Sequence, residues 1–471
     1  MRFQIYIQER LKKYSIRTKI IAGIASLISL YLLIALYFVN HLYMGTEING
    51  VKVSLKSQEE SVQAIKDYLS DYKLEIIDRE DNRSEITAQE AGLQYNEKKS
   101  ISQIYKRQNA LAWITSLFKK YEYSVVNLYT YDRNKLDQRI RSLDCMNQNY
   151  IEPQNVSFTY TDGSYKITKE IIGNKINEDR LREAVRMYLV NGKRVLELEA
   201  GQCYENPKYT TKSNKTAKTR NLLDQYVSAK IIYTFGEDNE VLEGSTISRW
   251  LSVNDNLDVV INKTAVINYI KVLRSKYDTV GITRSFQASG GRTVEVVGGL
   301  YGWKINQTEE AKELIDNIKQ GKEIEREPIY TQRALYRDKD DIGDTYIEIN
   351  ISRQHLWFYK NGELIAQGSV VTGNPNRGNS TVRGTYMVIY KQNNATLSGP
   401  GYSVAVTYWM PFFGNMGVHD AKWRYSFGGE IYKRNGTHGC VNAPYYLAKT
   451  IYDNIEEGTP VVIYEEEPVL R

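Results

Sequence analysis

The chain has 471 residues, enough for about three domains at ~150 residues each. Its 62 Lys+Arg against 56 Asp+Glu give +6, and the first nineteen residues hold five of those charges, because Arg2, Arg10, Lys12, Lys13, Arg17 and Lys19 face only Glu9. The near-neutral remainder excludes the basic folded surface of a nucleic-acid binder, 42% hydrophobic with 25% charged residues excludes a disordered chain, and three cysteines exclude a disulfide framework.

Residues 1–19 read as a basic tail. Residues 20–39, IIAGIASLISLYLLIALYFV, follow without a charge or a proline. Twenty residues rising 1.5 Å each make ~30 Å of helix, the thickness of a bilayer's hydrocarbon core. A cleaved signal peptide is the competing reading. Against it, the apolar run exceeds the usual ~7–15 residues, and no small-x-small cleavage site follows in NHLYMGTE. Tyr31, Tyr37 and Tyr43 suit a span whose outer end sits in an aromatic belt. All the basic residues precede the span, which predicts a cytoplasmic amino terminus and an outside location from about Asn40 onward.

The next element is an α/β segment over 45–123, opened by a turn at Asn49-Gly50. Beyond it the chain repeats itself. GNKIN at 173–177 recurs as GWKIN at 302–306, an offset of 129, and Gly192-Lys193 recurs as Gly321-Lys322 at the same offset. Each copy continues with helical spacing: Leu181, Ala184, Val185, Tyr188 and Leu189 in one, Ala311, Leu314, Ile315 and Ile318 in the other. Asn177 and Asn306 stand where N-caps belong, Gly192 and Gly321 where the helices should stop. NPKYT at 206–210 matches EPIYT at 327–331 with the offset reduced to 121, so the first copy is eight residues longer there. Further helices are predicted at 132–143 and 263–276, with a hairpin turn at Asp162-Gly163. The boundaries expected are 124–210 for the first repeat and 222–331 for the second, with the polar run TTKSNKTAKTRN at 210–221 as linker. No acid pair, phosphate loop or metal-type histidine pair occurs here, so this region binds or spaces.

From Asp344 the texture becomes short alternating strands, such as YIEINI, HLWFYK, LIAQGSVV and TYMVIYK, separated by turns such as Asn361-Gly362. A helix at 445–455 precedes a closing strand at 460–464. Only four histidines exist, His41, His355, His419 and His438; the last two share a window of about twenty residues with Cys440, the third of the three cysteines. A thiol of pKa ~8.5 is mostly protonated at neutral pH. An adjacent imidazole can take its proton and produce a thiolate that attacks carbonyl carbon. Gly439 before Cys440 would let a backbone N–H approach a developing oxyanion without a Cβ in the way. These residues favour acyl transfer through a thioester. His355 and His41 read as structural and interfacial. A zinc site of His419, His438 and Cys440 is the rival from another class, and it needs three ligands around an open fourth position. Cys145 and Cys203 are expected as free, buried thiols.

His419, Asp420, a sixteen-residue spacer and then THGCVN at 437–442 resemble the signature of the L,D-transpeptidases (YkuD-like) over about 342–464. The duplicated segment, with its GLYGW run at 299–303, resembles the tandem peptidoglycan-binding domains of membrane-tethered members. The resemblance implies a multidomain chain: an N-terminal transmembrane helix, α+β repeat modules and a C-terminal mainly-β catalytic domain. It implies Cys440 as nucleophile, His419 as base oriented by the backbone carbonyl of Asp420, and His438 and Gly439 lining the oxyanion or donor site. Asn442 would fix the active-site loop, and Trp423 would stand beside the substrate. Thr437 replaces the commoner serine, and Thr381-Val-Arg-Gly384 stands where Thr-Pro-x-Gly is usual, removing a φ lock. The activity implied is 3→3 cross-linking of peptidoglycan stem peptides without metal, nucleotide or other cofactor, with carbapenem-type β-lactams acylating Cys440. An L,D-carboxypeptidase and a non-catalytic wall-binding protein remain the alternatives.

Overall fold

In the computed structural model, which describes residues 15–147, 149–337, 340–399 and 401–466, the apolar run is the helix Ile16–Tyr37. It starts four residues before the apolar stretch because Ser15 caps it, its Oγ accepting from Thr18 N–H at 3.3 Å. Arg17 and Lys19 lie in its first turns, while the rest of the basic tail, 1–14, lies outside the described residues. The helix is long and apolar enough to cross a membrane.

The chain divides into two units, one of residues up to 157 together with 168–212, the other of 158–167 together with 213 onward. In the first unit the helix Gln58–Ser70, closed by a Ser57/Glu60 capping box, leads into antiparallel strands Lys73–Ile77 and Arg83–Thr87. Strand Val195–Glu197 adds in parallel to Lys73–Ile77, pairing Val195 with Glu75. Helices Arg133–Arg141 and Glu178–Val190 cover this sheet, with Leu136, Ile140, Leu181, Val185 and Leu189 in a core shared with Ile65, Leu74 and Ile76. The expected boundary at 123/124 is therefore crossed by one sheet and one core: the 45–123 segment supplies the strands of the first repeat.

The second unit repeats this order. Helix Asn214–Val227 precedes antiparallel strands Lys230–Phe235 and Asp238–Leu242, and Glu323–Arg326 adds in parallel to the first of them. Helices Lys263–Tyr277 and Gln307–Gln320 pack on the sheet. Asn306 caps the latter by accepting from Glu309 N–H, and Gly321 ends it at φ +65°. The linker expected at 210–221 is corrected by the helix from Asn214. Thr216, Thr219, Leu223 and Val227 are buried along one face, and Thr219 Oγ1 donates to the Leu257 carbonyl at 2.6 Å, so its methyl can pack while its hydroxyl is satisfied.

The last third is β-rich. A five-stranded sheet runs Glu363–Ser369, His355–Lys360, Tyr346–Asn350, Pro460–Tyr464, Gly384–Met387. A four-stranded sheet runs Gln392–Gly399, Tyr402–Phe413, Met416–Asp420, Val441–Ala443. Ile347, Ile349 and Phe358 of one sheet share a core with Met410, Val418 and Val441 of the other, and helix Tyr445–Asn454 adds Leu447, Ala448 and Ile451.

Two hairpins pack on the element that follows their own repeat. Residues 158–167, the Asp162-Gly163 hairpin, fold with the second unit, where Tyr165 packs in the core of Leu223, Ile247 and Trp250. Its counterpart, strands Arg284–Gln287 and Thr293–Val296, lies against the five-stranded sheet, with Phe286 and Val296 packed on Val462 and Tyr464. The next turn approaches strand Gly384–Met387 so closely that a Cβ on Gly299, at φ +100°, would lie 2.0 Å from the Thr385 carbonyl oxygen.

Candidate active site

The strand Met416–Asp420 carries His419. It lies between Tyr402–Phe413 and Val441–Ala443, pairing His419 with Trp409 on one side and with Asn442 on the other. Both Asp420 groups are engaged. Its carboxylate Oδ1 accepts from the backbone N–H groups of Thr407 (2.8 Å) and Tyr408 (2.7 Å), and its carbonyl accepts from His419 Nδ1 at 2.9 Å. A carbonyl can only accept, so Nδ1 carries the proton and Nε2 keeps its lone pair. Burial holds the His419 pKa below its ordinary value of 6.5, against the opposing pull of Asp420, so the ring is neutral at pH 7.

Cys440 stands at the start of strand Val441–Ala443 and shares a cavity of about 550 Å³ with His419, His438, Trp423 and Thr437. Its Sγ–H donates to the Asn415 carbonyl at 3.4 Å. Burial pushes the thiol above its ordinary 9.0, with an opposing hydrogen bond from the Gly417 backbone. The sulfur is a thiol here, in the same cavity as the imidazole but hydrogen-bonded elsewhere.

The loop before Cys440 is tied internally. Thr437 Oγ1 donates to the Cys440 carbonyl at 2.6 Å and accepts from Gly439 N–H at 3.0 Å. The Gly439 N–H, expected near a developing oxyanion, is engaged here by the Thr437 hydroxyl. Glycine is required there for another reason: φ is +119° and a Cβ would lie 2.7 Å from Met416 Cε. Thr381 Oγ1 accepts from Gly373 N–H (2.9 Å) and donates to the Gly439 carbonyl (2.8 Å), holding by hydrogen bonds the turn that lacks proline. Asn442 is buried, its backbone exchanging two 2.9 Å hydrogen bonds with Val371.

His438 is exposed and stacks on Tyr402 with ring centroids 4.8 Å apart. Trp423 is 46% exposed at the cavity wall, 5.9 Å from the His419 ring. Sequence reasoning missed Tyr402, Trp409 and Arg424, which also line the cavity. The proline-glycine pair inside TLSGPGYSVAV signals the hairpin that brings Tyr402 in. Arg424 carries no comparable signal. Its Nε is buried without a hydrogen-bond partner, and burial lowers its pKa. Among the described residues no three His, Cys, Asp or Glu side chains converge to hold a metal. His355 lies in its strand with Nε2 3.3 Å from Gln367 Oε1, and His41 stacks on Tyr37. Cys145 and Cys203 are free, and burial pushes both thiols up to about 11.

Fold and site define a mainly-β domain with a cysteine and a neutral histidine in one open cleft. Residues 344–463 match the YkuD family, described as the L,D-transpeptidase catalytic domain. Residues 84–197 and 209–325 match a family described as "Putative peptidoglycan binding domain". Similar solved structures include a crystal structure of an Enterococcus faecium L,D-transpeptidase mutant at 30% identity, covering 53% of this chain and 100% of that one (TM-score 0.44). The Ldtfm–avibactam carbamoyl enzyme is 31% identical over 54% of this chain and 100% of that one (TM-score 0.45). An E. faecium L,D-transpeptidase catalytic domain acylated by ertapenem is 37% identical over 26% of this chain and 98% of that one (TM-score 0.25). No curated protein matches. The chain belongs to the L,D-transpeptidase family, with a YkuD catalytic domain joined to peptidoglycan-binding domains.

Proposed function

We propose that the chain is a membrane-anchored, cysteine-dependent L,D-transpeptidase that forms 3→3 cross-links in peptidoglycan. The observation that carries this reading is the His419 tautomer: Nδ1–H is held by the Asp420 carbonyl, leaving Nε2 as proton acceptor in the cavity that holds Cys440. Cys440 Sγ attacks the carbonyl carbon of the third residue of a tetrapeptide stem as its proton passes to His419 Nε2. Collapse of the tetrahedral intermediate breaks the amide bond, and the terminal D-Ala leaves with the proton from His419 as an amine. The side-chain amine of a neighbouring stem's third residue attacks the thioester, gives its proton to His419, and releases the sulfur, which is reprotonated. One amide replaces another, so no nucleotide is consumed. The lactam carbonyl of a carbapenem offers Cys440 the same attack. His438 and Trp423 would contact the stems, while Thr437 and Asn442 hold the loop.

The helix Ile16–Tyr37, with Arg17 and Lys19 at its start, supports an anchor with a cytoplasmic amino terminus and the catalytic domain in the wall space. The purified chain, given a tetrapeptide and an amine acceptor, is expected to yield the cross-linked dimer by mass spectrometry, and Cys440→Ala none. Tripeptide as sole product would make the chain an L,D-carboxypeptidase, and full cross-linking by Cys440→Ala would remove the thioester.

A further inference from the structure

Beside the Ile16–Tyr37 helix lies a second apolar segment that the proposed function leaves unused. The 3₁₀ helix Ala110–Leu117 reads ALAWITSL and is followed by Phe118. With three residues per turn, positions three apart fall on one face. Trp113 and Ser116 turn inward, Ser116 buried and Trp113 half-buried. Leu111, Ile114 and Leu117 form the opposite stripe and are exposed, and Phe118 at its end is 88% exposed. Four large apolar side chains in nine residues facing solvent are a patch to be accounted for.

The position of the segment says what covers it. Tyr31 OH donates to the Leu111 carbonyl, and the Trp113 ring lies 5.5 Å from that of Tyr31 and 6.0 Å from that of Phe38, nearly parallel to the latter. Tyr31 precedes the helix end at Tyr37 by six residues, a descent of about 9 Å at 1.5 Å per residue. The segment therefore runs alongside the outer part of the helix and not above it. The apolar face is framed by charge, with exposed Lys106 and Arg107 before it and exposed Lys119 and Lys120 after it. Apolar residues at acyl-chain depth flanked by cations match an interfacial helix on an anionic surface.

We propose that residues 110–118 are embedded in the outer leaflet of the membrane that the Ile16–Tyr37 helix crosses, with the four basic residues at the headgroups. This rests on the reading of that helix as a membrane span. The first unit then meets the bilayer at two adjacent places, and the segment fixes the height and rotation at which it leaves the membrane.

The test uses the full chain reconstituted into vesicles of mixed zwitterionic and anionic lipid. Flotation with the vesicles and resistance to alkaline carbonate report the span alone. In Phe118→Trp, the added emission is expected to be lost in vesicles of lipid brominated near the headgroup end of the acyl chains and to resist aqueous iodide. A chain that floats and resists carbonate while its added emission is quenched by iodide overturns the embedding and leaves the anchor standing. Added emission shielded from both quenchers also overturns it, pointing to a second copy or another protein on the face. A chain extracted by carbonate overturns the anchor and the embedding together.

Discussion

Cys440 rests as a thiol because burial disfavours its anion and outweighs the opposing hydrogen bond from the Gly417 backbone. His419 rests neutral because burial disfavours its cation. A neutral pair needs less desolvation than an ion pair in the same cleft; in the proposed mechanism the thiolate would form when substrate turns Sγ toward Nε2. The signs follow for stability. The cysteine's raised pKa gives a contribution present below 9.0 and lost as pH rises through the folded value. The histidine's lowered pKa gives one present above 6.5 and lost as pH falls toward the folded value. For reactivity, a thiol whose pKa exceeds 9.0 is less than about 1% ionised at pH 7. Alkylation of Cys440 by iodoacetamide in the substrate-free chain should therefore rise roughly tenfold per pH unit from 7 to 9. A flat profile down to pH 6 would mean a resting thiolate–imidazolium pair and would contradict this geometry. At this scale most of the site was legible, because His419, His438 and Cys440 lie in one short window. The engagement of the Gly439 N–H was not, since nothing in THGCVN says that the threonine hydroxyl turns inward to accept it.

At the scale of elements, periodicity and turn chemistry read well where they act locally. The helix expected at 263–276 is Lys263–Tyr277, the strand HLWFYK is His355–Lys360, and Asn361-Gly362 adopts positive φ at both residues. Composition misled where a polar helix buries threonine, as at Asn214–Val227. Neither rule could show that the hairpin Arg284–Gln287/Thr293–Val296 belongs against the catalytic sheet. Phe286 meets the ring of Tyr346 edge-on at 5.3 Å, and Ser289 N–H donates to the fully buried Glu348 carboxylate at 3.0 Å. The second repeat thus packs on the catalytic domain's five-stranded sheet and hydrogen-bonds a buried carboxyl there. Phe286→Ala should destabilise that domain by about 3–5 kcal/mol, read as a lower midpoint in urea for the emission of Trp357, Trp409 and Trp423. An unchanged midpoint would mean that the hairpin only rests on the sheet.

For the whole molecule, the duplication was visible in GNKIN and GWKIN, but its extent was not. The strand that closes the first sheet pairs Val195 with Glu75, 120 positions away, and parallel pairing at that distance leaves no local signature. The duplication also explains the hairpins. Each repeat projects one from the same place in its order, and residues 158–167 fold into the second unit as 284–296 fold onto the catalytic sheet. Tyr165 is the anchor of the first hairpin: its N–H donates to Asp224 at 2.7 Å, its carbonyl accepts from Arg220 at 3.1 Å, and its ring is buried. The chain therefore holds the second unit twice, covalently at 212/213 and through this hairpin. With a protease site inserted there and cut in detergent, the two fragments should still migrate together on size exclusion. Tyr165→Ala removes a buried aromatic ring, a loss of about 3–5 kcal/mol, which weakens the association by on the order of a hundredfold or more. The cut variant should separate at micromolar concentration. Clean separation of the cut parent chain would show that the hairpin does not hold the second unit, and the forward packing of the repeats would lose its mechanical meaning.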